Sequence, residues 1–428
     1  MQVVSKVTPK NQTDTQVKLA IAATFTADPI KESLSFWMTE LAHSATIEFA
    51  PYNQIFQQLL DPASLLSTNQ QGINIIFLRI EDWCRFHQTD RQTTDIAPIL
   101  QRNAQDLVMA LKTAVSQSST PYIVCLCPSS PKMQNGTEAI HLFEQTEAWI
   151  TTELGGINGL HLIQFQEIQA LYPVADYYDP HQDRLGHIPF TTEFFTALGS
   201  MVARKIYAIK NPPHKVIVLD CDNTLWKGVV GEDGVHGIDL SSNWQSVQQF
   251  MLSQQQAGML LCLCSKNNEA DVKQVFAQRQ DMVLQLEHLV GWRINWQPKS
   301  ENIKSLAAEL NLGLDSFIFV DDNPVECAEV SANCPEVLTL QLPIDGNMQQ
   351  FLNHVWAFDH LRTTEEDAQR TLLYQQNLER QRFQQQALTL EDFWAGLEMQ
   401  IQITEPSSAQ LSRVAQLTQR TNQFNCTT

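Results

Sequence analysis

The sequence predicts an α/β protein: a mainly parallel sheet covered on both faces, followed by a second, doubly wound parallel sheet. Three observations carry this. Short apolar runs alternate with helix-patterned stretches along most of the 428 residues, as expected of strands and helices in parallel α/β units. Asn211-Pro212-Pro213 interrupts the series once, and proline there ends a helix. The first strand after that break, Val216-Ile217-Val218-Leu219, stops abruptly at Asp220-Cys221-Asp222. Ligands of doubly wound sheets gather at such strand ends.

The elements follow in order. Residues 1–15 are polar, lack a signal-peptide core and read as a disordered lead-in. Strands are expected at Lys18–Phe25, Ala45–Ala50, Ile73–Ile80, Tyr122–Cys127 and Leu160–Phe165, with helices such as Gln105–Val115 and Glu138–Glu153 between them. They make a first domain over about 16–180. A connector, 181–213, follows; Thr191 or Thr192 can cap a helix running to about Ile209. The second domain, 214–360, has strands at Val216–Asp220, Met259–Cys264, Phe317–Val320 and Val337–Leu342. In SENIKSLAAELNLG, Ser300 reads as an N-cap, Ile303, Leu306, Ala307 and Leu310 share a face, and Gly313 stands where a left-handed cap is needed. A Gln-rich helix is expected from Thr364, a linker over 361–390. Residues 391–428 are too few to bury a core and read as the opening of a further domain.

Composition narrows the function. Hydrophobic residues make up 43% and charged residues 18%, as in soluble globular proteins. Lys plus Arg total 28 against 47 Asp plus Glu, a net charge of −19. This argues against a nucleic-acid binder, and an acidic protein partner would have to dock on a local basic patch. No apolar run approaches the ~20 residues of a membrane span. The nine cysteines include no CxxC pair. Cys125 and Cys127, like Cys262 and Cys264, sit two apart in strand-like runs, so each pair faces one side and reads as reduced core packing. A cytoplasmic location is expected.

Four separated pieces of the second domain converge at strand ends: Asp220 and Asp222, then Ser265, then Lys299, then Asp321 and Asp322. Carboxylates hold an oxygen-loving cation such as Mg²⁺, while a hydroxyl and an ammonium hold phosphate oxygens. Asp220 is the candidate nucleophile, fixed at its strand end for in-line attack on phosphorus. Asp222 can protonate the leaving oxygen and then activate water.

DCDNTLW, Ser265, Lys299 and the Asp321-Asp322 pair resemble the four motifs of the haloacid-dehalogenase (HAD) phosphotransferase superfamily. The longer runs DCDNTLWKGVVGEDG, SKNN, NWQPKSENI, VDDNP and LTQRTNQFN resemble its FkbH-like glyceryl transferase/phosphatase branch. The likeness covers about 170–428 and implies a HAD-like second domain. It implies Mg²⁺ held by Asp220, Asp222 (through its backbone carbonyl), Asp321 and Asp322, and phosphate held by Ser265, Lys266, Asn267 and Lys299. It also implies a substrate, 1,3-bisphosphoglycerate, and a product, a glyceryl thioester on the phosphopantetheine of an acyl carrier protein in a polyketide synthase.

That outcome gives Cys221 a role. A thiol attacking an acyl phosphate expels phosphate and keeps the acyl group as a thioester, ready for a carrier thiol. Two carboxylate neighbours disfavour the thiolate, and Mg²⁺ with Lys299 can offset them. The alternatives are a plain Mg²⁺-dependent small-molecule phosphatase with Cys221 as packing, or a non-enzymatic docking module. Residues Asp179 to His187 resemble the late Asp/His block of SGNH-type hydrolases, but ATFTAD after the first strand has no GDS-type serine. The first domain is therefore expected to be a degenerate SGNH/flavodoxin-like unit used for packing or docking. Arg184 and His187 are read as structural, with a reach into the phosphate cleft as the alternative. Gly228, Gly231 and Gly234 suit a flap with Trp226 packed beneath it.

Overall fold

The computed structural model describes residues 17–85, 96–131, 137–363, 367 and 369–386. Both sheets lie in one compact unit, 1–372. The first sheet holds β1 (Val17–Ala23), β2 (Ala45–Phe49), β3 (Ile73–Arg79), β4 (Tyr122–Cys127) and β5 (Leu160–Gln164) in the order β2-β1-β3-β4-β5. The second holds β6 (Val216–Leu219), β7 (Leu260–Ser265), β8 (Leu289–Ile294), β9 (Phe317–Asp321) and β10 (Leu338–Gln341) in the order β10-β9-β6-β7-β8. All pairings within both sheets are parallel. Helices cover both faces, which is why the central strands β3, β4, β6 and β7 read as continuous apolar runs and are buried throughout.

The nine strands expected from sequence all form. The tenth, β8, was not foreseen. Its sequence LVGWRI carries a glycine and an arginine, and it pairs only at the sheet edge, across an irregularity at Leu261/Cys262. Edge pairing tolerates residues that break the apolar signal.

Two cap assignments change. Helix Lys299–Leu310 starts one residue before Ser300, with Pro298 at the N-cap position. The Ser300 hydroxyl and backbone N–H instead donate to Glu329 of the next helix. The left-handed C-cap of this helix is Asn311, at φ 53°, and Gly313 is extended. Asparagine tolerates that conformation, so glycine was not required. Thr191 does cap helix Thr192–Lys210, accepting from the Phe194 N–H. The Gln-rich helix is described from Arg370 to Gln386, with its expected start at Thr364 outside the described residues. So are the lead-in and residues 391–428.

Helix Thr192–Lys210, read as a connector, lies against helix Ile30–Glu40 of the first sheet. The approach is close enough that a Cβ at Gly199 would sit 1.9 Å from the Ser33 hydroxyl. The same helix meets the end of the second domain. Arg204 donates to both oxygens of Asp359 at 2.5 Å, and Tyr207 packs on Trp356 with ring centroids 6.0 Å apart. All eight described cysteines are free and buried, and Cys125 and Cys127 do share one face of β4. Among the described residues no helix is long and apolar enough to cross a membrane.

Candidate active site

The second sheet brings its polar strand ends together as parallel alternation dictates. Asp220 follows β6, Ser265 ends β7, Asp321 ends β9 and Lys299 opens the helix after β8. The Asp220 N–H donates to the Val320 carbonyl, which locks these neighbouring strand ends in register. Lys299 is buried and its ammonium contacts Asp220 at 2.7 Å. It also makes a short ion pair with Asp321 and lies 5.6 Å from the centre of the Phe319 ring.

Asp220, Asp321 and Asp322 each offer a carboxylate oxygen within 4.8 Å of the others. Two of these acids, Asp220 and Asp321, hold the ammonium of Lys299, and Asp322 stands beside them. Burial raises the Asp220 pKa even against the pull of Lys299. Burial, followed by repulsion from Asp220, pushes Asp321 and Asp322 up to about 6 each. Burial alone would lower Lys299, but Asp220 and Asp321 outweigh it and hold the ammonium protonated. The cluster is short of positive charge, and hard oxygen donors at this spacing fit a hard divalent cation.

Asp222 stands apart from that group. One of its carboxylate oxygens accepts from the Trp226 indole at 2.8 Å and the Val230 N–H at 3.1 Å. The other accepts from the Asn267 amide at 2.8 Å. Both oxygens of its carboxylate are thus engaged by protein donors. Trp226 is fully buried, and the segment expected to be a flap forms helix Val230–Gly237, kinked at Gly234. Gly228 and Gly234 take positive φ there, 103° and 72°, whereas Gly231 does not.

The SKNN residues divide. Asn267 bridges Asp222 and the Ser265 hydroxyl, 3.1 Å away. Lys266 points across the mouth to Glu326 at 2.7 Å. Its ion pair with Glu326 leaves the Lys266 side chain part-exposed. Sequence reading missed Thr224, which is buried and donates weakly to Asp322 at 3.5 Å. It also missed Glu329, which ties Ser300, beside Lys299, to helix Pro324–Asn333. The threonine in DCDNTLW was the available signal for the first. Nothing local marked the second.

Cys221 lies in the apolar core beneath β6, with no exposed surface. Burial, then Asp220, raise its pKa well above that of a free thiol, and Ser265 only moderates this.

His187 and Arg184 do not reach this site. His187 lies at the strand ends of the first sheet, bonded to Asp82 at 2.9 Å and, through its other nitrogen, to Tyr52. Arg184 donates to the Pro180 carbonyl of its own helix.

Comparison with solved structures finds a likeness over both domains. The crystal structure of the N-terminal part of protein BF1531 from Bacteroides fragilis, containing a phosphatase domain and complexed with Mg, superposes with a TM-score of 0.68 at 24% identity. The match covers 81% of this chain and 95% of that one. At that identity it shows a shared fold: two parallel-sheet α/β domains in series. A tagatose-6-phosphate ketose/aldose isomerase from Escherichia coli and the glycosyltransferase VinC align with TM-scores of 0.18 and 0.17, too low to mean a common fold. No protein-family model matches the sequence, and neither does any curated protein.

Proposed function

We propose that the second domain is a Mg²⁺-dependent phosphatase of HAD type. One observation carries this reading: Lys299 pairs with the buried Asp220 and Asp321, the half-buried Asp322 offers an oxygen within 4.8 Å of both acids, and a fourth acid, Asp222, is held by Trp226, Val230 and Asn267. The fold shared with a phosphatase domain that binds Mg supports it. Asp220, Asp321 and Asp322, with the Asp222 carbonyl, would hold the cation. When bound, it supplies the positive charge that lets an anionic phosphoryl group approach these acids.

The chain's own residues do the rest. An Asp220 oxygen attacks phosphorus, the ester P–O bond breaks, and Asp222 passes a proton to the departing oxygen. Lys299 and Ser265 hold the phosphoryl oxygens while charge moves between them. Asp222, now a carboxylate, takes a proton from water, which attacks the aspartyl phosphate and frees Asp220 and inorganic phosphate.

The finer reading rests on the sequence resemblance. With 1,3-bisphosphoglycerate, the Cys221 thiolate attacks the acyl carbonyl, the bond to the acyl-phosphate oxygen breaks, and a phosphoglyceryl thioester forms as one phosphate leaves. Hydrolysis of the ester phosphate by the steps above then gives the glyceryl thioester. The phosphopantetheine thiol of an acyl carrier protein then takes the glyceryl group for polyketide assembly and returns the Cys221 thiol. The buried, high-pKa state of Cys221 favours the second reading, a plain small-molecule phosphatase. For the transferase, cation binding must lower that pKa and the sulfur must become accessible.

Intact mass after incubation with Mg²⁺ and 1,3-bisphosphoglycerate separates the two readings. The transferase reading expects a glyceryl adduct that Cys221→Ala lacks, with the ester phosphate still released by the variant. Phosphate release without any adduct leaves the plain phosphatase. Phosphate release that persists after full chelation removes both.

A further inference from the structure

The geometry points to Trp296 as a specificity-determining contact for the organic part of the phosphorylated substrate, an inference that rests on the phosphatase reading. Single apolar side chains scattered over a surface are ordinary. What sets Trp296 apart is that it is both the most exposed large apolar residue described, at 75%, and carried by a turn anchored next to Ser265 and Lys299.

It lies on the turn between β8 and helix Lys299–Leu310, and that turn is tied at every step. The Asn295 N–H donates to the Ser265 carbonyl at 3.1 Å. The Asn295 side-chain oxygen accepts from the Gln297 N–H at 3.0 Å and from the Asn302 amide at 2.9 Å, and its amide donates back to Asn302 at 3.2 Å. Pro298 follows, its φ set by its ring, and then Lys299 is pinned to Asp220. The turn that carries Trp296 is thus anchored to the Ser265 strand end on one side and to Lys299 on the other.

Distance sets the kind of ligand. β8 lies two strands from β6, roughly 10 Å at the usual strand spacing. A phosphoryl group at Asp220 therefore leaves room for an organic portion to run outward and lie against the indole. A phosphate with almost nothing attached does not reach it. Trp296 should grip phosphate esters bearing an extended or ring-containing group, and be indifferent to minimal phosphates.

The test uses the full chain with Mg²⁺ and two probes, p-nitrophenyl phosphate and acetyl phosphate. Trp296→Ala should lower kcat/KM for p-nitrophenyl phosphate by roughly tenfold, chiefly through KM, on the scale of an aromatic contact plus its buried area. Trp296→Phe should recover most of it. Acetyl phosphate turnover should stay within about twofold. Equal losses on both probes would assign the effect to a disturbed Ser265–Lys299 turn and overturn the inference, as would no loss on either. Wild-type protein turning over neither probe would remove the phosphatase reading, and this inference with it.

Discussion

The two sheets end in polar crevices built alike and charged differently. At the first, Arg79 and Arg85 face Asp82 and Asp183. Arg79 donates to Asp82 at 2.8 Å and to Asp183 at 3.2 Å. Arg85 reaches Asp183 at 2.6 Å. Tyr178, Thr24 and His187 complete the hydrogen bonding of the two acids. Two cations meet two anions, so the crevice is filled by its own ion pairs. At the second, Lys299 pairs with Asp220 and Asp321, Asp322 stands beside those two acids, and no other cation among the described residues forms an ion pair with any of the three. Buried charge is tolerated when paired and hydrogen-bonded. The first crevice satisfies that rule and the second departs from it, and perturbed acids gathered at strand ends mark a candidate functional site.

Substitutions at the two crevices should therefore fail in opposite ways. The largest effect belongs to Asp220→Asn. If Asp220 is the nucleophile, Mg²⁺-dependent phosphate release should fall by about 10⁴–10⁶, the scale on which nucleophile removal acts. Yet the metal-free protein should melt no lower than wild type, because one of three mutually repelling acids is gone. Retained turnover, or a clear drop in metal-free Tm, would break the contrast.

Asp183→Asn should do the reverse. It leaves Arg79 and Arg85 facing one acid fewer, and breaking a buried pair costs about 3–5 kcal/mol. Thermal or denaturant unfolding should register that loss, while kcat of the folded fraction stays at wild type. A fall in kcat with stability intact would mean that the first crevice takes part in the reaction.

This contrast also marks what the sequence made legible. Strands buried on both faces, such as INIIFLR and VIVLDCD, announce themselves because a parallel sheet demands unbroken apolar runs. Polar residues at their ends then fall together by topology alone, which is why Asp220, Ser265, Lys299 and Asp321 were readable before any coordinates. β8 was hidden because an edge strand needs only one good face. The partner of Lys266 was hidden because a lysine beside a phosphate motif and a lysine paired with Glu326 look identical in one dimension. The enclosure of Cys221 was the hardest to foresee. Just past the end of β6 the chain turns Cys221 into the apolar core beside Leu225 and Trp226, although an acid stands on either side of it.

The smallest expected effect sharpens the comparison through pH. In the metal-free protein Asp321 and Asp322 are raised from 3.8 to about 6, first by burial and then by Asp220. Between about pH 4 and pH 6 the folded state keeps protons on these acids that the unfolded chain has released, so their contribution to stability declines as pH rises through that window and levels off above it. A divalent cation takes the place of those protons and needs the acids ionised. The increase in Tm on adding Mg²⁺ should thus be a few degrees at pH 7.5 and shrink toward zero at pH 5. Measuring each Tm with and without Mg²⁺ at the same pH cancels the ordinary surface carboxylates, which titrate in both samples. The balanced first crevice supplies the control. In Asp220→Asn the Mg²⁺ increment should disappear at both pH values, whereas in Asp183→Asn it should persist on a lower baseline. An increment larger at pH 5 than at pH 7.5 would mean that the acids around Lys299 are not where the cation binds.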